Sequence, residues 1–166
     1  MTEMHISPRR FRTLILVLCV SALTACGLAK PMPPFDSFAH RISDGTVSLY
    51  WSCIRPAPGA VRVDGWANNP AYPQPIKDLE LILYGVNAQD GTVSQAKGSA
   101  QAYLIQTNEP SPFVVDLKTV GAEVRFDLVY QYWGGGDSGM GGRDGGGGSQ
   151  RQQNMARDVC VGLASS

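Results

Sequence analysis

The stretch that decides the fold reads Ala122-Glu123-Val124-Arg125-Phe126-Asp127-Leu128-Val129-Tyr130-Gln131-Tyr132-Trp133. Val124, Phe126, Leu128, Tyr130 and Tyr132 share one phase of a two-residue period. Glu123, Arg125, Asp127, Val129 and Gln131 share the other. Successive side chains of an extended chain point to opposite faces, so this pattern predicts a strand with one face in a core. The same period recurs upstream. In residues 46–53, Val47, Leu49, Trp51 and Cys53 alternate with Thr46, Ser48, Tyr50 and Ser52. Residues 60–68 place Val61, Val63 and Ala67 inward. Residues 79–86 are apolar on both phases except for Glu80, as a central strand is. Asp90-Gly91 supplies the turn after it. Residues 93–105 fit either a strand or a short helical turn. Pro110 and Pro112 are expected to break the chain before a strand with Phe113, Val115 and Leu117 inward, and a last strand is expected near 157–163. About seven short strands separated by turn signals predict an all-β chain, an antiparallel, immunoglobulin-like β-sandwich.

Composition narrows the function classes. The chain has 166 residues, 14 basic and 14 acidic side chains and no net charge, so it lacks the basic footprint of a nucleic-acid binder. At 43% hydrophobic residues it is too apolar for a wholly disordered chain.

The N-terminus has its own logic. Arg9, Arg10 and Arg12 precede the apolar run from Leu14 to Ala25. A basic segment followed by about twelve apolar residues is the pattern of a secretory signal, and it is shorter than the roughly 20 apolar residues a spanning helix needs. The run ends Leu23-Thr24-Ala25-Cys26. This resembles the lipobox of bacterial lipoproteins. The resemblance implies cleavage after residue 25 and lipid attachment at Cys26, with the thiol forming the thioether to diacylglycerol. Gly27, where a retention signal would place Asp, then implies the outer membrane, facing the periplasm. Two or more acyl chains anchor stably where one does not. Residues 1–25 are thus read as a cleaved signal peptide, 26–44 as lipidated cysteine and Pro-rich tether, and 45–163 as the sandwich domain. Eighteen extended tether residues would reach roughly 55 Å at about 3.1 Å each.

Four cysteines are present. Cys19 leaves with the signal and Cys26 carries lipid. Cys53 and Cys160 remain in an oxidising compartment, where one disulfide is the economical reading. A redox or metal site is the alternative, but there is no C-x-x-C pair, and His40 is the one histidine beyond the signal.

Residues 61–117 resemble the FxLYD-type domain, an immunoglobulin-like sandwich of prokaryotic envelope proteins. The resemblance rests on Val61-Arg62-Val63-Asp64-Gly65-Trp66-Ala67-Asn68-Asn69, on Leu81-Ile82-Leu83-Tyr84 followed by Asp90-Gly91, and on Ser111-Pro112-Phe113. The chain departs from that pattern at Gly85, where the family has Asp, and in the longer turn over 86–89. The resemblance implies a sandwich and carries over no catalytic residue.

Several residues suggest chemistry or binding. Gly136-Asp137-Ser138-Gly139 matches a serine-protease nucleophile motif, but that chemistry needs a histidine base and an orienting aspartate, and His40 lies at the tether's edge. Residues 134–148 hold ten glycines in fifteen positions, which predicts a mobile loop joining the last two strands, either a tolerated insertion or a partner-binding element. The spacing of Asp137 and Asp144 fits no Ca²⁺ loop. Trp66 and Trp133 fall on outward phases and are the candidate binding surface. Asp64, Asp78, Glu80 and Asp127 read as solvated strand positions. No catalytic residue, metal or cofactor is assigned. The reading is a membrane-anchored, non-enzymatic binding or scaffolding module with an envelope protein as partner and no nucleic acid. The alternative is a small envelope hydrolase or glycan-binding accessory factor using the Gly-rich loop.

Overall fold

The alternation over 125–133 becomes a central strand paired on both sides. In the computed structural model, which describes residues 33–70, 74–135 and 149–163, strand β8 (Arg125–Gly135) lies between β4 (Ile76–Val86) and β9 (Ser149–Ala156). The described strands are, in order, β1 (His40–Ser43), β2 (Ser48–Ile54), β3 (Ala60–Asn68), β4, β5 (Thr92–Ser99), β6 (Leu104–Ile105), β7 (Ser111–Lys118), β8 and β9. They form two sheets, β1-β2-β3-β7 and β5-β4-β8-β9, with β6 added to β4. Every pairing between named strands is antiparallel. If β2, β3, β4, β5, β7, β8 and β9 are lettered A, B, C, C′, E, F and G, the order is that of an immunoglobulin-like sandwich.

The expected inward residues meet between the sheets. Val47, Leu49, Val61, Val63, Leu81, Leu83, Val115, Leu117, Leu128 and Tyr130 are all buried. Leu81 lies opposite Tyr130 and Leu83 opposite Leu128, so the central pair β4–β8 supplies apolar residues in matched rows. Residues 93–105 resolve as β5 and the two-residue β6, without a helix.

Several expectations need correction. The folded unit begins before residue 45. A 3-10 turn, Phe35–Ser37, and β1 occupy the stretch assigned to the tether, and β1 pairs with β2 through Ile42 opposite Leu49. With β1 and β6 there are nine strands among the described residues. The last strand is β9, not 157–163, which forms turns with a positive φ at Asp158 (51°) and Gly162 (87°). Pro112 lies inside β7 and does not precede it. β7 is the outer strand of its sheet, where a missing N–H costs no ladder bond on the open side. Val124, assigned to the inner face, is 51% exposed because the pairing starts at Arg125, whereas Glu123 is only 7% exposed. Its carboxylate accepts from Ser94 Oγ (2.6 Å) and from the backbone N–H groups of Val120 and Gly121 (2.8 Å each), which closes the β7–β8 turn.

Cys53 and Cys160 form a disulfide with Cα atoms 5.5 Å apart. It ties β2 to the turn that follows β9, so it joins the two sheets along one side. Beside it the indole N–H of Trp51 donates to the Val159 carbonyl (2.9 Å). The opposite side closes differently. β5 and β7 approach until Ala100 bridges Phe113, and a β-carbon on Gly98 would run into the Val114 carbonyl.

Candidate functional site: an exposed sheet face and an open side

The outer face of the β5-β4-β8-β9 sheet carries Ile82 and Tyr84 from β4, Arg125, Asp127, Val129, Gln131 and Trp133 from β8, and Arg151, Gln153 and Met155 from β9. The register that aligns them sets Trp133 opposite Arg151, Gln131 opposite Gln153 and Val129 opposite Met155. From Arg125 to Trp133 the face runs about 26 Å at roughly 3.3 Å per residue.

One half of this face is a shallow groove of about 540 Å³. Tyr84, Val129 and Met155 line its floor, and Asp90, Arg125, Asp127 and Arg157 line its rim. Met155 is 54% exposed. Arg125 spans two carboxylates, donating from Nη1 to Asp90 (2.5 Å) and from Nε to Asp127 (3.2 Å). Those hydrogen bonds hold Asp90 below the usual carboxylate range and raise the Arg125 guanidinium. Asp127 also accepts the backbone N–H of Asp158 (3.0 Å). It is 6% exposed, which corrects its reading as a solvated strand position.

The other half centres on Trp133, 38% exposed. The Arg151 guanidinium sits 6.0 Å from its ring centroid and donates to Glu80 (2.7 Å), which also accepts from the Gln131 amide. An aromatic surface is thus framed by planar polar groups whose orientations are set by one another.

The second feature is the side where β1 and β9 are the outer strands. A cleft of about 520 Å³ opens there, lined by His40, Arg41 and Ile42 of the first sheet's edge and by Met155, Ala156, Arg157 and Val159 of the other, with Trp51 at its floor. The His40 imidazole lies 5.6 Å from the Trp51 ring centroid, nearly parallel to it. The cleft is framed by two ties. At one end is the disulfide with its Trp51–Val159 hydrogen bond. At the other, Asp44 accepts from Tyr132 Oη (3.0 Å) and the Asn154 amide (2.7 Å) through one oxygen. Its other oxygen accepts the backbone N–H groups of Thr46 (2.9 Å) and Val47 (2.8 Å). Burial first, and the facing Asp44 carboxylate after it, push the Tyr132 phenol up to about 12, with Thr46 opposing.

The candidate residues fare differently. The Cys53–Cys160 pair forms and Trp133 faces solvent. Trp66 is on the outer phase of β3, yet it is only 9% exposed, so it offers little surface. Its cross-strand neighbour Tyr50 is covered by the Phe35 ring, stacked at 4.1 Å, with Phe38 at 6.4 Å. Asp78 takes a positive φ of 51° and donates its N–H to the Tyr103 carbonyl (2.8 Å) at the start of the β4 irregularity. Cys26 and residues 136–148, including Asp137 and Asp144, lie outside the described residues. Gly134 and Gly135 belong to β8, and Gly135 pairs with Ser149, so residues 136–148 connect the two strands of this hairpin. Among the described residues no three His, Cys, Asp or Glu side chains converge as a metal site, and no helix is long and apolar enough to cross a membrane. The sequence reading missed Tyr84, Met155 and Arg157, because no local pattern announces residues that meet only through strand pairing.

No family model matches this chain, and no curated protein matches it. Among solved structures, the GAE domain of yeast GGA1 is similar at a TM-score of 0.45 and 12% identity, covering 71% of this chain and 96% of that one. The GAE domain of GGA2p from Saccharomyces cerevisiae is similar at 0.44 and 10% identity, covering 72% and 96%. The fold assignment stands on the strand order and register above.

Proposed function

We propose that this chain is a lipid-anchored envelope protein whose sandwich is a non-enzymatic binding or scaffolding module for another envelope protein. The observation that carries the binding reading is the outer face of the β5-β4-β8-β9 sheet. Its charges are largely satisfied internally, by Arg125 with Asp90 and Asp127 and by Arg151 with Glu80, while Met155 stays exposed in the groove and Trp133 on the other half of the face. Exposed aromatic and methionine side chains on a rigid, charge-neutral face are what a protein interface requires at its centre.

The anchor reading draws on Leu23-Thr24-Ala25-Cys26 and the apolar run before it. The Phe35–Tyr50 stack shortens the expected tether, because the chain is already docked at Phe35. The nine residues from Cys26 to Phe35 span about 30 Å at most. The domain would therefore work close to the bilayer, on the periplasmic side of the outer membrane. A glycan is the second reading, favoured by the planar polar groups of Glu80, Gln131 and Arg151 around Trp133.

Two measurements test the proposal. Cys26→Ser is expected to move the protein from the membrane to the soluble fraction, and retention of that variant in membranes overturns the anchor. A photo-crosslinking side chain at position 155 in intact cells is expected to trap one dominant protein, and Trp133→Ala to reduce that product at least tenfold. Recovery of glycan in place of protein moves the assignment to the second reading. Equal trapping from Lys118, on the other sheet, removes the face from consideration.

A further inference from the structure

The sandwich is closed on one side and open on the other. On the closed side β5 and β7 meet through the Ala100–Phe113 bridge and the tight approach at Gly98. On the open side β1 and β9 are not paired with each other among the described residues, and the cleft between them has Ile42, Trp51, Ala156 and Val159 as its apolar lining, with His40 beside Trp51. The two ties at Asp44 and at Cys53–Cys160 bridge the sheets at either end of the gap.

The four outer strands differ in how their free backbone is protected. β7 carries Pro112, and β5 is covered by β7. β1 has only four residues. β9 has eight, Ser-Gln-Arg-Gln-Gln-Asn-Met-Ala, with no proline, no lysine and one charge, Arg151, engaged by Glu80. A long outer strand without such devices is a template for another strand. The mouth of the cleft adds a charge preference. Arg41 and Arg157 line it without an ion pair among the described residues, against one acid, Asp158.

We propose that the open side is a docking site for an extended segment of a partner protein, which pairs with the free edge of β9, places alternate apolar side chains in the cleft between β1 and β9, and sets a flanking Asp or Glu on Arg41 or Arg157. Backbone pairing supplies affinity and the cleft supplies side-chain selection, as in other strand-addition complexes. A second copy of β9 fits less well. Its residues of the inner phase, Gln152 and Asn154, would bring amides to an apolar floor. This surface shares Met155 and Arg157 with the groove on the outer sheet face but does not include Trp133, and it does not depend on the lipid anchor.

The test uses the full chain with Cys26→Ser, panned against a displayed library of random twelve-residue peptides. Enriched peptides are expected to carry apolar residues at alternate positions with a flanking acid. The synthesised winner is expected to slow amide hydrogen exchange in β9 at least tenfold, the signature of strand pairing. Ala156→Phe, which fills the cleft, is expected to weaken that peptide at least tenfold. Should that variant not fold, Arg157→Glu at the rim is expected to do the same, and Lys118→Ala to leave affinity unchanged. Failure to enrich peptides, enrichment without alternation, unchanged exchange in β9, or binding indifferent to Ala156→Phe and Arg157→Glu each overturns the proposal. A concentration-dependent dimer that protects β9 assigns the edge to a second copy and overturns it as well. Because Met155 and Arg157 line both features, Trp133→Ala separates the two readings: it is expected to reduce trapping at position 155 and to leave peptide binding unchanged.

Discussion

Replacing both Cys53 and Cys160 by alanine removes a cross-link that closes 107 residues of chain. In the chain-entropy description, the unfolded ensemble of a chain with a loop that long regains about 16 cal/mol/K, or about 4.8 kcal/mol at 25 °C. The native state keeps most of its local geometry. Trp51 still donates to Val159, the Val159 N–H still reaches the Phe126 carbonyl, and Arg55 still donates to the Leu163 carbonyl. The effect therefore falls mainly on the unfolded chain, and the expected loss is about 3–5 kcal/mol, a large share of the roughly 5–15 kcal/mol that holds a domain together. At about 3–5 °C per kcal/mol for a unit of this size, the midpoint of thermal unfolding drops by about 10–20 °C. Urea unfolding followed by tryptophan fluorescence is the assay, since Trp51 is buried and beside the bond. The variant should unfold at lower urea with a steeper dependence, because an unlinked chain exposes more surface. A loss below 1 kcal/mol with unchanged slope would refute the reasoning. It would mean that the unfolded chain is already held compact near those residues, or that the hydrogen bonds around Trp51 carry the junction without the bond.

Three further outcomes follow from single side chains. Burial pushes Glu123 up, but the hydrogen bonds from Ser94, Val120 and Gly121 outweigh it and hold the carboxyl below the ordinary value of 4.5. Its contribution is therefore full above about pH 4.5 and is lost as pH falls through the folded value. Glu123→Gln should flatten the acid limb of a stability–pH profile, and Glu123→Ala should cost about 2–3 kcal/mol by leaving two turn N–H groups without their acceptor. Tyr132 behaves in the opposite sense. With its phenol at about 12, stability is full below the ordinary value of 10 and declines as pH rises from there, and Tyr132→Phe should reduce that alkaline decline, which the buried Tyr130 phenol shares, in a denaturation series monitored by circular dichroism. Gly98→Ala should destabilise by about 2 kcal/mol or more, measured by urea midpoint, because backbone and not a flexible side chain blocks its β-carbon. A neutral Gly98→Ala would show that β5 and β7 can separate at little cost.

How much was legible depends on where each strand sits. β2, β3 and β8 alternate because each has one face in the core, so period two in the sequence marks them directly. β9 carries no such mark. Gln150, Arg151, Gln152 and Gln153 lie on the outer edge, where neither face is required to be apolar, and only pairing with β8 makes them a strand. β1 has Ile42 as its one aliphatic residue, too little for alternation to mark it as a strand. Trp66 shows a different limit. Its phase correctly gives the outer face of β3, but phase does not say what covers that face, and the lead-in chain places Phe35 on the neighbouring Tyr50. Val124 and Glu123 exchange their expected exposures because the turn at Gly121, with φ at 84°, ends before the ladder begins.

By itself the sequence determined the sandwich class and the inward phase of its best strands and pointed to the pairing of Cys53 with Cys160, since local alternation and a small set of cysteines require no knowledge of neighbours. Only the tertiary structure decided which strands lie side by side. The groove lined by Tyr84 and Met155, the Trp133–Arg151–Glu80 cluster and the cleft between β1 and β9 therefore became visible only in it. Each joins residues tens of positions apart, and burial of the apolar faces against one another, with the strand register that follows, is what brings them together.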